Sequence, residues 1–143
     1  MLYSKPCEYA FRAMTWLATH EFGRAQQIAK DERLPAFFLA KILKELAAKK
    51  VLTSSRGRKG GFSLSRPADQ ITLEEIVSAL DGLEDLRRCA IGWARCSDDK
   101  PCSLHNRFKP IRERVHDYLK TTTISHLVTA EAVRKGVKKS SAL

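Results

Sequence analysis

Cys89, Cys96, Cys102 and His105 fall within seventeen residues, and this is where the chain departs from ordinary globular composition. Thiolates and imidazole are soft donors that suit zinc or an iron–sulfur cluster. Gly92, Ser97, Asp98, Asp99 and Pro101 lie among them, so the segment is expected to wrap around a bound group rather than form a regular element. A cofactor loop is the first reading, with three chemistries open: a cluster, a zinc ion, or thiols without a ligand. Structural zinc usually takes a tight Cys-x-x-Cys pair, whereas the gaps here are six and five residues. A cluster spans a wider site and tolerates such gaps. A disulfide framework is disfavoured, because four cysteines are few for 143 residues and no export signal is visible. Cys7, distant in sequence, reads as a small apolar filler at a helix start. Trp93 reads as a buried anchor that shields the bound group from water.

The rest of the chain must position this loop. At 143 residues with 43% hydrophobic side chains, the chain is expected to form one compact domain with its own core. No apolar run approaches the roughly eighteen residues needed to cross a bilayer, and a cytoplasmic location is expected. Lysine and arginine total 26 against 16 acidic residues, a formal charge of +10. Such an excess attracts polyanions, and double-stranded DNA is the leading partner.

The spacing predicts where that charge is used. Tyr9, Ala10, Met14, Leu17 and Ala18 form one stripe of an amphipathic helix over residues 8–20, ended by Gly23. A short helix over 24–31 buries Ile28, and Pro35 suits the first position of a third helix running to about Lys49. Leu39, Ile42, Leu43 and Leu46 make the core face of that helix; Phe37, Lys41 and Lys44 face away. Two short helices, a turn and a third helix with a basic outer face follow the helix-turn-helix order. Two strand-like runs, 51–55 and 62–65, flank Arg56-Gly57-Arg58-Lys59-Gly60-Gly61. A hairpin with a cationic, glycine-rich tip after a helix-turn-helix is a wing, and a merely solvated hairpin would not explain three cations at its tip. Arg56 is expected in the minor groove, with Arg58 and Lys59 on phosphates.

Thr72-Leu73-Glu74-Glu75 is a capping box that starts a fourth helix burying Ile76, Val77 and Leu80 and stopping at Asp81-Gly82. After the cysteine loop, Leu104, Phe108, Ile111, Val115, Tyr118 and Leu119 recur at three- and four-residue spacing among charged residues. In a small winged domain such a seam has only a second copy to pack on, so a homodimer is expected through Leu104, Phe108, Ile111, Val115 and Leu119. Pro110 should kink this helix or mark its start, leaving 103–109 as a separate turn. The basic tail from Arg134, with Lys135, Lys138 and Lys139, is expected to fray. His20 and His116 read as exposed helix residues, and His126 as a cap rather than a ligand. The expected organisation is thus a winged helix-turn-helix over 1–82, a ligand loop over 83–103 and a dimerisation helix with tail over 104–143. No P-loop, dinucleotide fingerprint or nucleophile elbow occurs, so an enzyme is not expected.

Glu8-Tyr9-Ala10, the wing Ser55-Arg56-Gly57-Arg58-Lys59-Gly60-Gly61-Phe62, Val77-Ser78-Ala79-Leu80-Asp81-Gly82, the three spaced cysteines and Thr122-Thr123-Ile124 stand in one order. In this the chain resembles the bacterial iron–sulfur winged-helix transcription regulators of the IscR and NsrR type, over about residues 1–130. The resemblance implies a mainly α fold, and a homodimer that binds a promoter palindrome and ligates a cluster at its interface through Cys89, Cys96 and Cys102. Cluster state, responding to redox, nitric oxide or iron–sulfur supply, would then alter DNA binding. IscR-like proteins match His105 with a ligating histidine; NsrR-like proteins place a carboxylate at Glu8, supplied by the partner's first helix. Nitrogen suits iron better than a carboxylate beside three thiolates, which favours His105 and a [2Fe-2S] over a [4Fe-4S] cluster. Two positions differ from IscR: the first cysteine gap is six rather than five residues, and Ala40 stands where IscR carries a glutamate that filters target sites. The alternatives are a zinc- or thiol-based regulator on the same scaffold and, more distantly, an electron-transfer protein for which the basic wing would be surplus.

Overall fold

A computed structural model of the chain describes residues 2–141, with side chains described as far as Gly136. The order is α1 (Lys5–His20), α2 (Ala25–Glu32), α3 (Ala36–Ala48), β1 (Leu52–Ser55), β2 (Gly61–Leu64), α4 (Leu73–Leu80), α5 (His105–Thr121) and α6 (Ile124–Ser141). This is the expected mainly α fold with one hairpin. No helix among the described residues is long and apolar enough to cross a membrane.

The apolar stripes converge on one core. Met14 and Leu17 of α1, Ile28 of α2, Leu39, Leu43 and Leu46 of α3 and Ile76 and Val77 of α4 are all buried together. Cys7 is buried among them, and burial raises its thiol to about 12, as suits an inert filler. α4 begins at the expected capping box: Glu75 N–H donates to Thr72 Oγ1, and the Glu75 carboxylate accepts from Thr72 N–H. Its far end is tied to the start of α1, where Ser4 N–H donates to Asp81 Oδ2 at 2.7 Å.

The wing is anchored at its root. β1 and β2 pair antiparallel from Leu52↔Leu64 to Ser55↔Gly61. Gly23 then pairs with Phe62 through two backbone hydrogen bonds of 3.0 and 2.8 Å. A Cβ at Gly23 would lie 2.3 Å from the Trp16 ring, so this glycine does more than end α1: it lets the wing dock onto the helical core.

The C-terminal helices depart from expectation in three ways. α5 runs unbroken through Pro110, and only Ser103 and Leu104 form a turn before it. The proline leaves the Asn106 carbonyl without its helical donor, but both residues are exposed and water can replace the bond. Leu119, expected on the dimer face, is 0% exposed and sits in the chain's own core, while Val115 is half-buried against it. The cause is local: Leu73 N–H donates to Thr122 O and Ile124 N–H to Ile71 O, pinning the end of α5 onto the start of α4. Finally, the stretch from Arg134, expected to fray, continues α6 as an 18-residue helix, at whose start His126 Nδ1 accepts from Thr123 N–H at 3.0 Å. Leu127 and Val128 pack it on the core; the side chains of Lys138 and Lys139 lie outside the described residues.

Candidate nucleic-acid interface and ligand loop

The outer face of α3 and the wing tip carry exposed cations. Burial of Leu39, Ile42, Leu43 and Leu46 turns Phe37, Lys41 and Lys44 of α3 outward. Phe37 is 72% exposed, and Lys41 Nζ lies 4.7 Å above its ring centre. Phe38 is exposed beside it and was missed; its position off the Leu39 stripe is the signal that could have found it. At the wing tip Arg56, Arg58 and Lys59 are exposed, and among the described residues none of them enters an ion pair. Gly57, at φ 98°, and the bond from Gly60 N–H to Gly57 O close the tip. A Cβ at Gly60 would lie 2.5 Å from Ser55 O, so the tight turn excludes any other side chain there.

The cysteine loop leaves α4 at Gly82, passes a 3-10 turn (Glu84–Arg87) and ends at the first residue of α5, His105. Its burial is inverted. Cys89, Cys102 and His105 are buried, whereas Ile91 and Trp93 are exposed; Trp93, at 57%, is not the expected buried anchor. Past Leu83 and Leu86, which pack on the core, the loop buries its donor residues rather than its apolar side chains.

The donors form two pairs. Cys96 Sγ lies 3.1 Å from His105 Nδ1. Cys89 and Cys102 are both buried in the same loop, and the Cys102 thiol is among the groups that lower the Cys89 thiol. Gly92, at φ 86°, turns the chain so that Ile91 N–H, with help from the Cys102 thiol and the Trp93 and Gly92 amides, holds the Cys89 thiol below its ordinary range. His105 N–H donates to Cys102 O at 3.1 Å, which links the two pairs through the start of α5. Among the described residues no three such side chains converge on a single ion.

Two residues around this site were not anticipated. Asp98 Oδ1 lies 2.7 Å from His105 Nε2 and 2.9 Å from Lys109 Nζ. Lys109 first, then His105, lowers the Asp98 carboxyl below its usual range, and Asp98 raises Lys109 in turn. Glu8 is partly exposed on α1 and its donor N–H caps back to Ser4 O.

A model of the Rrf2 family, described as iron-dependent transcriptional regulators, matches residues 3–130. The chain is 32% identical over 135 residues to a putative HTH-type transcriptional regulator of Aquifex aeolicus, covering 92% of this chain and 94% of that one. It is 27% identical to IscR of Sodalis glossinidius, covering 87% of this chain and 77% of its relative. Its fold matches CymR, the global cysteine regulator of B. subtilis, with a TM-score of 0.76 at 22% identity over 91% and 98% of the two chains. These are regulators of transcription and not enzymes. With its winged helix-turn-helix continuous with a cysteine loop and a long following helix, the chain belongs to the Rrf2 family of iron-dependent transcriptional regulators.

Proposed function

We propose that this regulator binds a palindromic site on double-stranded DNA as a homodimer, and that an iron–sulfur cluster held by Cys89, Cys96, Cys102 and His105 modulates the binding. The observation that carries the cluster is the inverted burial of the loop: three of its four donor residues are buried while its tryptophan is exposed. A donor set of three thiolates and one imidazole favours a [2Fe-2S] cluster over a [4Fe-4S] one. Such a group, when bound, supplies a redox-sensitive cross-link between the two ends of the loop.

On DNA, Phe37, Lys41 and Lys44 would face the major groove, Arg56 the minor groove, and Arg58 and Lys59 the phosphates. The second copy would pack on α5 through Leu104, Phe108 and Ile111, which remain exposed, with Tyr118 beside them. His105 begins that helix. Ordering or releasing the loop therefore acts directly on the N-terminal end of the dimer element, and through it on the spacing of two wings.

Cys96 and His105 at 3.1 Å favour a second reading, a thiol regulator without metal, because the Cys96 thiol already has a side-chain partner within the loop. Anaerobic purification separates the two. Brown protein with broad visible absorbance and matching iron and sulfide supports the cluster; colourless protein, with or without stoichiometric zinc, refutes it. His105→Ala and Glu8→Ala, compared by absorbance and native mass, then decide the fourth ligand. Loss of the cluster in Glu8→Ala alone would assign it to the partner's α1.

A further inference from the structure

His105 is held from both sides of its ring by one short stretch of chain. Cys96 Sγ approaches Nδ1 at 3.1 Å, and Asp98, two residues later, approaches Nε2 at 2.7 Å. A carboxylate can only accept, so the Nε2 position must carry the proton. In the neutral ring Nδ1 is then left with its lone pair, and it faces the thiol. Lys109 stands four residues after His105, on the same face of α5, and its Nζ holds the same Asp98 oxygen at 2.9 Å. The Asp98 side chain is itself 70% exposed, so packing does not explain why it lies here.

The geometry points to Asp98 as a positioning residue: its carboxylate fixes His105 as the Nε2–H tautomer and aims Nδ1 toward the cysteine side of the loop, with Lys109 holding the carboxylate in place. Were the loop to carry a metal centre, Nδ1 would be the ring atom left free to hold it. That second half rests on the cluster reading; the tautomer does not. A metal-bound histidine that donates its other N–H to a carboxylate is both oriented and made more basic. Here the carboxylate comes from the loop and its anchor from the dimer helix, so the ligand's aim depends on α5 and the loop staying in register.

The test begins with metal-free protein carrying 15N-histidine, at a pH above the imidazole range. Wild type should show His105 as a single Nε2–H tautomer with a slowly exchanging ring proton. In Asp98→Ala that proton should exchange rapidly and an Nδ1–H fraction should appear. Asp98→Asn keeps an acceptor oxygen and should restore the tautomer; Lys109→Ala should fall between. An Nδ1–H tautomer in wild type, or unchanged exchange in Asp98→Ala, overturns the proposal. Anaerobic protein provides the second readout: cluster loss to a chelator should be about ten-fold faster in Asp98→Ala, the lower end of what outer carboxylates contribute. An unchanged rate overturns the ligand half. A wild type that assembles no cluster counts against the proposed function, while the tautomer is still decided in metal-free protein.

Discussion

The wing and the cysteine loop are both short, polar, glycine-bearing excursions from the same helical core, yet they are built on opposite principles. The wing is held by backbone pairing and by burial at its root, where Leu52 and Phe62 enter the core and Gly23 locks onto β2. Its charged tip adds nothing to that framework and is free for a ligand. The loop has no strand pairing; Leu83 and Leu86 pack its start on the core, but beyond them Ile91 and Trp93 face outward. Its side-chain bonds run through Cys96, His105 and Asp98, and Cys96 and His105 are groups that would take new partners on binding metal. A recognition element that must keep its shape is thus made of core, while an element that must respond is made of ligands.

The largest expected effect breaks the two apart. Cys89→Ala, Cys96→Ala and Cys102→Ala should each abolish or cripple cluster assembly, measured by anaerobic absorbance and iron content, while thermal unfolding of the metal-free protein changes little. Cys7→Ala should keep the cluster, because that thiol lies in the core away from the loop. The double change Arg58→Ala, Lys59→Ala should do the reverse. It should leave absorbance intact but reduce the slope of log affinity against log salt by about one unit per lost phosphate contact, alike on specific and random DNA. Full cluster occupancy in Cys96→Ala, or an unchanged salt slope in the wing variant, would sink the corresponding assignment.

How much of this was legible in the sequence follows the same division. The capping box at Thr72 and Glu75, the α3 core face and the wing glycines are local patterns, and each formed where it was expected. Periodicity shows which face of a helix is apolar but not what will cover it. That is why Leu119 was placed on a dimer face, although the link between Thr122 and Leu73 turns it into the chain's own core. Trp93 was misplaced for a related reason: large apolar residues are usually buried, but a loop organised by thiols has no apolar interior to receive one. The sequence marks Asp98 only as a loop residue, because its contact is with a residue seven positions away across an irregular turn, for which no periodicity exists.

An intermediate effect sharpens the picture of α5, which serves the core at one end and the proposed partner at the other. Leu119→Ala should destabilise the protein by about 2–5 kcal/mol, the range for truncating a fully buried leucine, with the dimer population following only as folding fails. Ile111→Ala, at a position 57% exposed, should leave unfolding nearly unchanged and weaken self-association instead. Urea unfolding with light scattering over a dilution series distinguishes the two. If Ile111→Ala remains as associated as wild type, the exposed seam is not where the copies meet.

The smallest effect isolates the contrast with a single backbone change. Gly57 at the wing tip and Gly92 in the loop both take positive φ, 98° and 86°, and a Cβ would meet nothing within 4 Å at either. Replacing either by alanine therefore introduces conformational strain of about 1 kcal/mol and no clash. In the wing that strain falls on a hairpin paired to the core, so Gly57→Ala should lower the melting temperature by about 2–4 °C. In the loop it can be relieved by opening a segment that buries little apolar surface, so Gly92→Ala should melt with wild type. Its cost should appear instead in cluster retention, because the turn at Gly92 is closed by the bond from Gly92 N–H to Cys89 O at 3.0 Å and so sets the backbone of a proposed ligand. Equal melting shifts in the two variants would mean that the loop unfolds together with the core, and that the division between a rigid recognition element and a ligand-organised one is false.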